Sequence, residues 1–182
     1  NASTMKIFTY DSICSIEKFP EHEKYKDQTL RLINSDRHGK NLKTDTMNIF
    51  SDWGADSYSR KLYWIDIQQP IYEFVKNVTT EMGYKNASMS NFWYQQYEKG
   101  GKHGWHVHEE CMFTSVYYLE FPEGSPCTEF KNTMTNEVFV PDVEEGDIMT
   151  FPSFVAHRAP VNDTDNRKTI LSWHVNAQVD PK

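Results

Sequence analysis

The segment from about residue 85 to residue 177 is a series of short runs rich in β-branched and aromatic residues, broken by glycine, proline and asparagine. Many short strands separated by turn residues are typical of a sandwich or a barrel. The second half of the chain is therefore predicted to be a β core of about eight strands, over 89–98, 103–109, 113–121, 127–131, 137–140, 147–151, 155–160 and 167–176.

The first 84 residues carry helical patterns instead. Apolar residues recur at helical spacing after Pro70, and Gly83 follows as a helix stop signal. We expect one strand, two helices and a long loop, over 5–10, 20–34, 70–82 and 35–62 respectively. Met5 resembles a natural first residue, with residues 1–4 added before it. The sequence thus predicts a single domain over 1–182, in which segment 5–84 packs on a core formed by 85–177.

Composition narrows the functional classes. The chain of 182 residues has a net charge of −7 and no long basic run, so a nucleic-acid partner is not expected. No apolar stretch approaches the roughly 20 residues of a membrane span. The odd number of cysteines (Cys14, Cys111 and Cys127) fits neither a disulfide framework nor a CxxC metal motif. We expect reduced thiols in a cytoplasmic protein, and the sequence leaves a homodimer open.

Three histidines have the spacing of a metal site. His106 and His108 stand at i and i+2 of a predicted strand, so both side chains point to one face. A distant His157 follows a Gly-Asp turn. Imidazole ligands suit iron, zinc, copper and nickel. Glu110 competes for the third position, because His108-x-Glu110 also matches a histidine–carboxylate pair of the kind that holds Fe(II).

A second motif, ten residues after His157, predicts a carboxylate site. In the predicted strand RKTILSWHV, Arg167 and Thr169 share a face. A guanidinium beside a hydroxyl is a good clamp for a carboxylate. Lys168 is expected to face the other way and to be solvated.

The ordered motifs resemble those of the 2-oxoglutarate and Fe(II)-dependent oxygenases. The closest likeness is to the small prolyl-hydroxylase-like branch with an HxH motif, found in bacteria and phages. The likeness covers roughly 63–177 and rests on the ordered set NFWYQQYEKGG, HVH, TSVYYL, VPDVEEGDIMTFPSFVAH and RKT.

This resemblance implies a double-stranded β-helix (jelly roll), mainly β with flanking helices on one side. It also implies Fe(II), 2-oxoglutarate as co-substrate and O₂. His106 and His157 would bind the iron, and His108 stands where most members have a carboxylate. The spacing of HVH to SVYYL favours His108 over Glu110. The residues implied for the far carboxylate of 2-oxoglutarate are Arg167, Thr169, Tyr97 and Tyr118.

The implied reaction is hydroxylation of an unactivated C–H bond, driven by conversion of 2-oxoglutarate to succinate and CO₂. The substrate, a protein side chain or a small metabolite, is not readable from the sequence. A cupin-type metalloenzyme is the first alternative, because cupins also carry HxH and a later G-D-P-H pattern. Cupins usually add a glutamate where Met112 stands. A non-catalytic binding domain on the same fold is the second alternative. Iron-dependent turnover of 2-oxoglutarate to succinate distinguishes the oxygenase from both alternatives.

Overall fold

The computed structural model describes residues 5–9, 11–40, 43–44, 48–53 and 60–179. The expectation about residues 1–4 and much of the predicted loop lie outside this part of the chain.

The described strands form two antiparallel sheets. In chain order they are β1 (Ser15–Lys18), β2 (Lys43–Thr44), β3 (Ile49–Ser51), β4 (Tyr84–Tyr97), β5 (His103–His106), β6 (Phe113–Glu120), β7 (Glu129–Lys131), β8 (Val138–Phe139), β9 (Asp147–Pro152), β10 (Ala156–Ala159) and β11 (Lys168–Val179). The larger sheet has the order β1-β9-β6-β11-β4-β3-β2, and the smaller has the order β5-β10-β7-β8. The prediction of a mainly β, jelly-roll core is confirmed.

The two helices lie close to their predicted places, with different ends. Helix α1 spans His22–Lys40 and α2 spans Leu62–Glu81. Helix α2 therefore begins eight residues before Pro70, where the sequence suggested a start. A proline inside a helix removes one backbone hydrogen bond. Burial of Tyr63, Trp64 and Ile67 in the core stabilises the turns that precede it.

The strand predicted over 5–10 is wrong for the residues that the structure describes. Residues 5–9 have no regular structure, and Ile7 and Phe8 are exposed. The first strand is β1, which pairs with β9 at the edge of the larger sheet. A segment with an alternating pattern forms a strand only when another strand pairs with it. The sequence does not show which segments have such a partner.

Strand β11 separates two layers of the core. Leu171 and Trp173 pack with α2 on the outer face of the larger sheet. Ile170 packs in a second cluster with side chains of both sheets. Because neighbouring residues of a strand point to opposite faces, this alternation decides what Arg167, Lys168 and Thr169 can reach.

Candidate active site

Three histidines converge on the face of the smaller sheet that lines a cavity. His106 on β5 lies directly opposite His157 on β10 in the strand register. His108 follows the end of β5, where its backbone N–H donates to the carbonyl of Ser153 at 2.9 Å. One ring nitrogen from each histidine lies within 4.8 Å of the others. Throughout the described ranges, these three residues are the one cluster suited to hold a metal ion.

Hydrogen bonds set which nitrogens face the centre of this cluster. Nδ1 of His106 lies 2.7 Å from the carbonyl oxygen of Gly104, and Nδ1 of His157 lies 2.9 Å from that of Val155. A carbonyl only accepts, so both Nδ1 atoms carry the hydrogen and both Nε2 atoms keep a free lone pair. Metal-binding histidines are usually held in this way.

Burial and crowding keep the imidazoles neutral. Desolvation, with help from the neighbouring rings, lowers the pKa of His108 to about 3 and that of His157 to about 4. Desolvation also lowers the pKa of His106. Since a metal binds the neutral imidazole, protons do not compete for these nitrogens near pH 7.

Glu110 takes no part in this cluster. Its side chain is exposed, and its backbone has a φ of 62° in a turn beyond the histidine pair. The structure therefore brings together His106, His108 and His157, the set that the HVH spacing favours, and leaves the competing carboxylate outside.

The histidines open into a cavity of about 250 Å³. Trp53 and Trp93, whose rings are 4.5 Å apart, form an aromatic wall next to them. The ring of Trp93 is 5.7 Å from that of His108. The cavity continues along β11 from Ser172, which pairs with Trp93, to Lys168. Four residues of strand correspond to ~13 Å between the Cα atoms of Ser172 and Lys168.

Lys168 is the buried cation of this cavity, contrary to the prediction that it is solvated. It is 1% exposed, and burial lowers its pKa to about 8. Its Nζ donates to the carbonyl of Pro126 at 2.8 Å and lies 4.5 Å from the centre of the Tyr97 ring. No carboxylate among the described residues pairs with it. A buried ammonium without a counter-charge is unfavourable, so an anionic ligand would stabilise this site.

Arg167, which directly precedes β11, and Thr169 face away from the cavity, whereas the resemblance implied that they bind the far carboxylate of 2-oxoglutarate. Arg167 binds both carboxylate oxygens of Glu120, at 2.7 and 2.9 Å, and Thr169 donates to the same carboxylate at 2.8 Å. Arg167 also donates to the side chain of Asn34 on α1 at 3.1 Å. Neither residue lines the cavity. Arg167 and Thr169 share the face of Leu171 and Trp173, which the helices cover. The carboxylate that they bind is therefore Glu120 of the protein itself.

The two predicted tyrosines have different positions. Tyr97 lines the cavity, and its hydroxyl donates to Gln95 at 2.7 Å. Tyr118 is fully buried beside the cavity, and its hydroxyl donates to Thr128 at 2.8 Å. Thr128 itself lines the cavity. Tyr118 therefore supports the wall and does not form it.

Sequence reasoning missed several wall residues. Gln95 shares the inward face of β4 with Trp93 and Tyr97, so strand alternation could have indicated it. Thr128 lies just before a short strand, and no local signal marks it.

Comparisons with known proteins agree with this geometry. Residues 91–173 match the protein family described as "Putative 2OG-Fe(II) oxygenase". The matched range contains all three histidines and Lys168. This segment is therefore similar to the 2-oxoglutarate and Fe(II)-dependent oxygenases. No curated protein matches the sequence.

Solved structures of such oxygenases share the fold. A prolyl-4-hydroxylase from Pseudomonas putida superposes with a TM-score of 0.60 at 12% identity, covering 88% of this chain and 91% of that one. A viral collagen prolyl hydroxylase from Paramecium Bursaria Chlorella virus-1, solved with 2-oxoglutarate, gives 0.55 at 15% identity over 91% and 96%. A Trichoplax adhaerens prolyl hydroxylase, bound to a hypoxia inducible factor peptide fragment, gives 0.62 at 14% over 88% and 82%.

The family match indicates an oxidoreductase, a hydroxylating dioxygenase that uses Fe(II), 2-oxoglutarate and O₂. The donor set fits this metal, since three neutral imidazoles on one side of a cavity leave further coordination positions open. No helix in the described part of the chain is long and apolar enough to cross a membrane.

Proposed function

We propose that this oxygenase binds Fe(II) through His106, His108 and His157, binds 2-oxoglutarate through Lys168, and hydroxylates a C–H bond of a peptidyl residue or a small molecule. The observation that carries the proposal is one cavity with a three-imidazole cluster and, at the start of β11, a buried ammonium without a carboxylate partner among the described residues. The two features match the two ends of a dicarboxylic keto acid.

Several residues in and around the cavity have a physical task in this scheme. Iron, with 2-oxoglutarate and O₂, supplies the oxidising power. The carbonyls of Gly104 and Val155 hold two of the imidazoles in the tautomer that binds metal. Lys168 neutralises the far carboxylate and fixes the direction of the co-substrate. Tyr97 and Thr128 offer hydroxyl groups along the same wall.

The aromatic wall supports binding of the substrate next to the iron. Trp93 is buried, whereas Trp53 is 56% exposed at the mouth of the cavity. Such a pair offers a flat apolar surface that excludes water and orients an aliphatic group. Two of the similar structures are described as a collagen prolyl hydroxylase and as a complex with a peptide fragment, which supports a peptidyl substrate. We also propose a cytoplasmic location, because the three cysteines are free thiols.

The test combines metal content with turnover. Wild-type protein supplied with Fe(II) should bind one iron and convert 2-oxoglutarate to succinate in the presence of O₂. His106→Ala and His157→Ala should lose stoichiometric iron while keeping their circular dichroism spectra, because each removes one of three protein ligands. His103→Ala is the matched control, since His103 stacks on His106 at 4.0 Å but lies outside the cluster. Unchanged iron in both triad variants would overturn the assignment.

A further inference from the structure

His108 differs from the other two histidines in what holds its outer nitrogen. The Nδ1 atoms of His106 and His157 face backbone carbonyls, which only accept a hydrogen bond. Nδ1 of His108 faces instead Nε2 of His174, a neighbour on β11, at 3.4 Å. An imidazole nitrogen either donates or accepts, depending on its tautomer. The orientation of His108 as a metal ligand therefore depends on a second histidine.

The tautomers of the two rings are coupled. If His108 binds a metal through Nε2, its hydrogen must be on Nδ1, and Nε2 of His174 must accept it. His174 then carries its own hydrogen on Nδ1. That nitrogen lies 3.1 Å from the side-chain amide of Asn91 on β4. The amide oxygen must face His174 for this hydrogen to be accepted, whereas the nitrogen occupies that position.

The side-chain amide of Asn91 thus sets the direction of both hydrogen bonds, from Asn91 to His174 and from His174 to His108. When the amide nitrogen of Asn91 faces His174, it donates to Nδ1 of His174, so His174 carries its hydrogen on Nε2 and donates it to Nδ1 of His108. His108 then carries its own hydrogen on Nε2, which cannot bind a metal. A half-turn of the amide exchanges its oxygen and nitrogen and reverses both bonds. The two orientations are nearly equal in shape, so the rotation needs no repacking.

Water is a poor substitute for His174 at this position. The residue is only 4% exposed. The rings of Trp93 and Trp53 lie 5.4 and 6.4 Å from its ring and cover it from the side of the cavity. Removing the imidazole would therefore leave Nδ1–H of His108 without an acceptor in a poorly hydrated place, where an unpaired donor is unfavourable.

We propose that His174 is a positioning residue for the iron centre: it accepts the Nδ1 hydrogen of His108, and Asn91 orients it through its amide oxygen. This inference rests on the proposed role of His108 as an iron ligand. It also accounts for how a histidine can stand in the position where most of the superfamily has a carboxylate. A carboxylate ligand has no ring hydrogen to place, whereas an imidazole binds a metal only when its hydrogen is on the other nitrogen.

Two substitutions at His174 separate hydrogen bonding from packing. His174→Phe keeps a flat ring between Trp53 and Trp93 but has no acceptor. His174→Gln loses the ring but brings an amide oxygen to about the position of Nε2. Loss of such an outer partner typically weakens metal binding 10- to 100-fold. We expect this loss in Fe(II) affinity for the phenylalanine variant, and most of the affinity restored in the glutamine variant. The reverse order would show a packing role and overturn the proposal.

Asn91 offers a matched pair of variants. Asn91 and Asn86 are both asparagines of β4 with a positive φ, of 51° and 53°, so glycine is tolerated at either position. Asn86 bonds to Gln178, away from the histidines. Asn91→Gly should weaken Fe(II) binding several-fold, and Asn91→Asp, which can only accept, should retain it. Asn86→Gly should have no effect. Equal Fe(II) affinities for Asn91→Gly and Asn86→Gly would contradict the role of the amide.

A direct reading of the tautomers completes the test. In zinc-loaded protein with ¹⁵N-labelled histidine, two-bond ¹H–¹⁵N spectra should place hydrogens on Nδ1 of both His108 and His174. A hydrogen on Nε2 of His174 would refute the inference. Failure of the proposed function is distinguishable, because His106→Ala and His157→Ala would then also retain iron, whatever the variants of His174 show.

Discussion

Replacing Lys168 by methionine should remove most of the affinity for 2-oxoglutarate. Methionine fills nearly the same volume without the charge, so the cavity keeps its shape. In the wild type, the ammonium has one carbonyl and one ring face as partners, and a carboxylate of the co-substrate would supply its counter-charge. Losing a buried charge-assisted contact of this kind costs about 2–5 kcal/mol, or roughly tens to thousands-fold in Kd.

The same substitution should stabilise the protein when no co-substrate is present. The pKa of Lys168 falls from 10.5 to about 8 in the folded protein because of burial. At about 1.4 kcal/mol per pH unit, holding the charged form costs up to about 3 kcal/mol. Between those two pKa values the unfolded chain binds more protons, so wild-type stability rises with pH there. The advantage of Lys168→Met should be full below pH 8 and vanish towards pH 10.5.

The assay is anaerobic titration of the Fe(II) protein with 2-oxoglutarate, followed by the metal-to-ligand charge-transfer absorption expected of this superfamily and by calorimetry. Arg167→Met is the matched control, because it removes the adjacent cation on the other face of β11. It should leave the Kd for 2-oxoglutarate within about threefold and lower the free energy of unfolding by about 1–3 kcal/mol, since Glu120 loses its bidentate partner. If Arg167→Met abolishes 2-oxoglutarate binding and Lys168→Met does not, the reasoning from strand orientation is refuted.

Three further outcomes follow from the geometry. His108→Ala should weaken iron binding far more than Glu110→Ala, and His108→Asp should retain it; equilibrium dialysis with Fe(II) checks this, and the opposite order would make Glu110 the ligand. The affinity for 2-oxoglutarate should fall as pH rises through about 8, because Lys168 loses its charge there, and Lys168→Met should lack this decline in calorimetry. Gly146→Ala should lower the free energy of unfolding by about 1–3 kcal/mol, seen as a lower urea midpoint, because φ is +90° and the new Cβ would lie 2.9 Å from Cγ of His22.

The metal cluster could be predicted from the sequence because its geometry is mostly local. The i, i+2 spacing keeps His106 and His108 close together, although β5 ends at His106 and His108 is held beyond it by a backbone hydrogen bond to Ser153. His157 could be added because a Gly-Asp turn precedes a short strand. The structure then places His157 opposite His106 in the register. Helix α2 shows the opposite case, since burial of its first turns outweighed the local signal of Pro70.

The residue proposed to bind the co-substrate, Lys168, depends on information that local patterns do not contain. Alternation groups Arg167 with Thr169 and places Lys168 on the other face, but it does not say which face meets the cavity. Leu171 and Trp173 continue the face of Arg167, and they would suit either a core under helices or a pocket wall. The deciding fact is that Glu120, 47 residues away on β6, already occupies the guanidinium. A paired arginine and a buried lysine without a carboxylate partner among the described residues differ only in their partners, so a short motif such as Arg-x-Thr cannot by itself identify the residue that binds an external carboxylate.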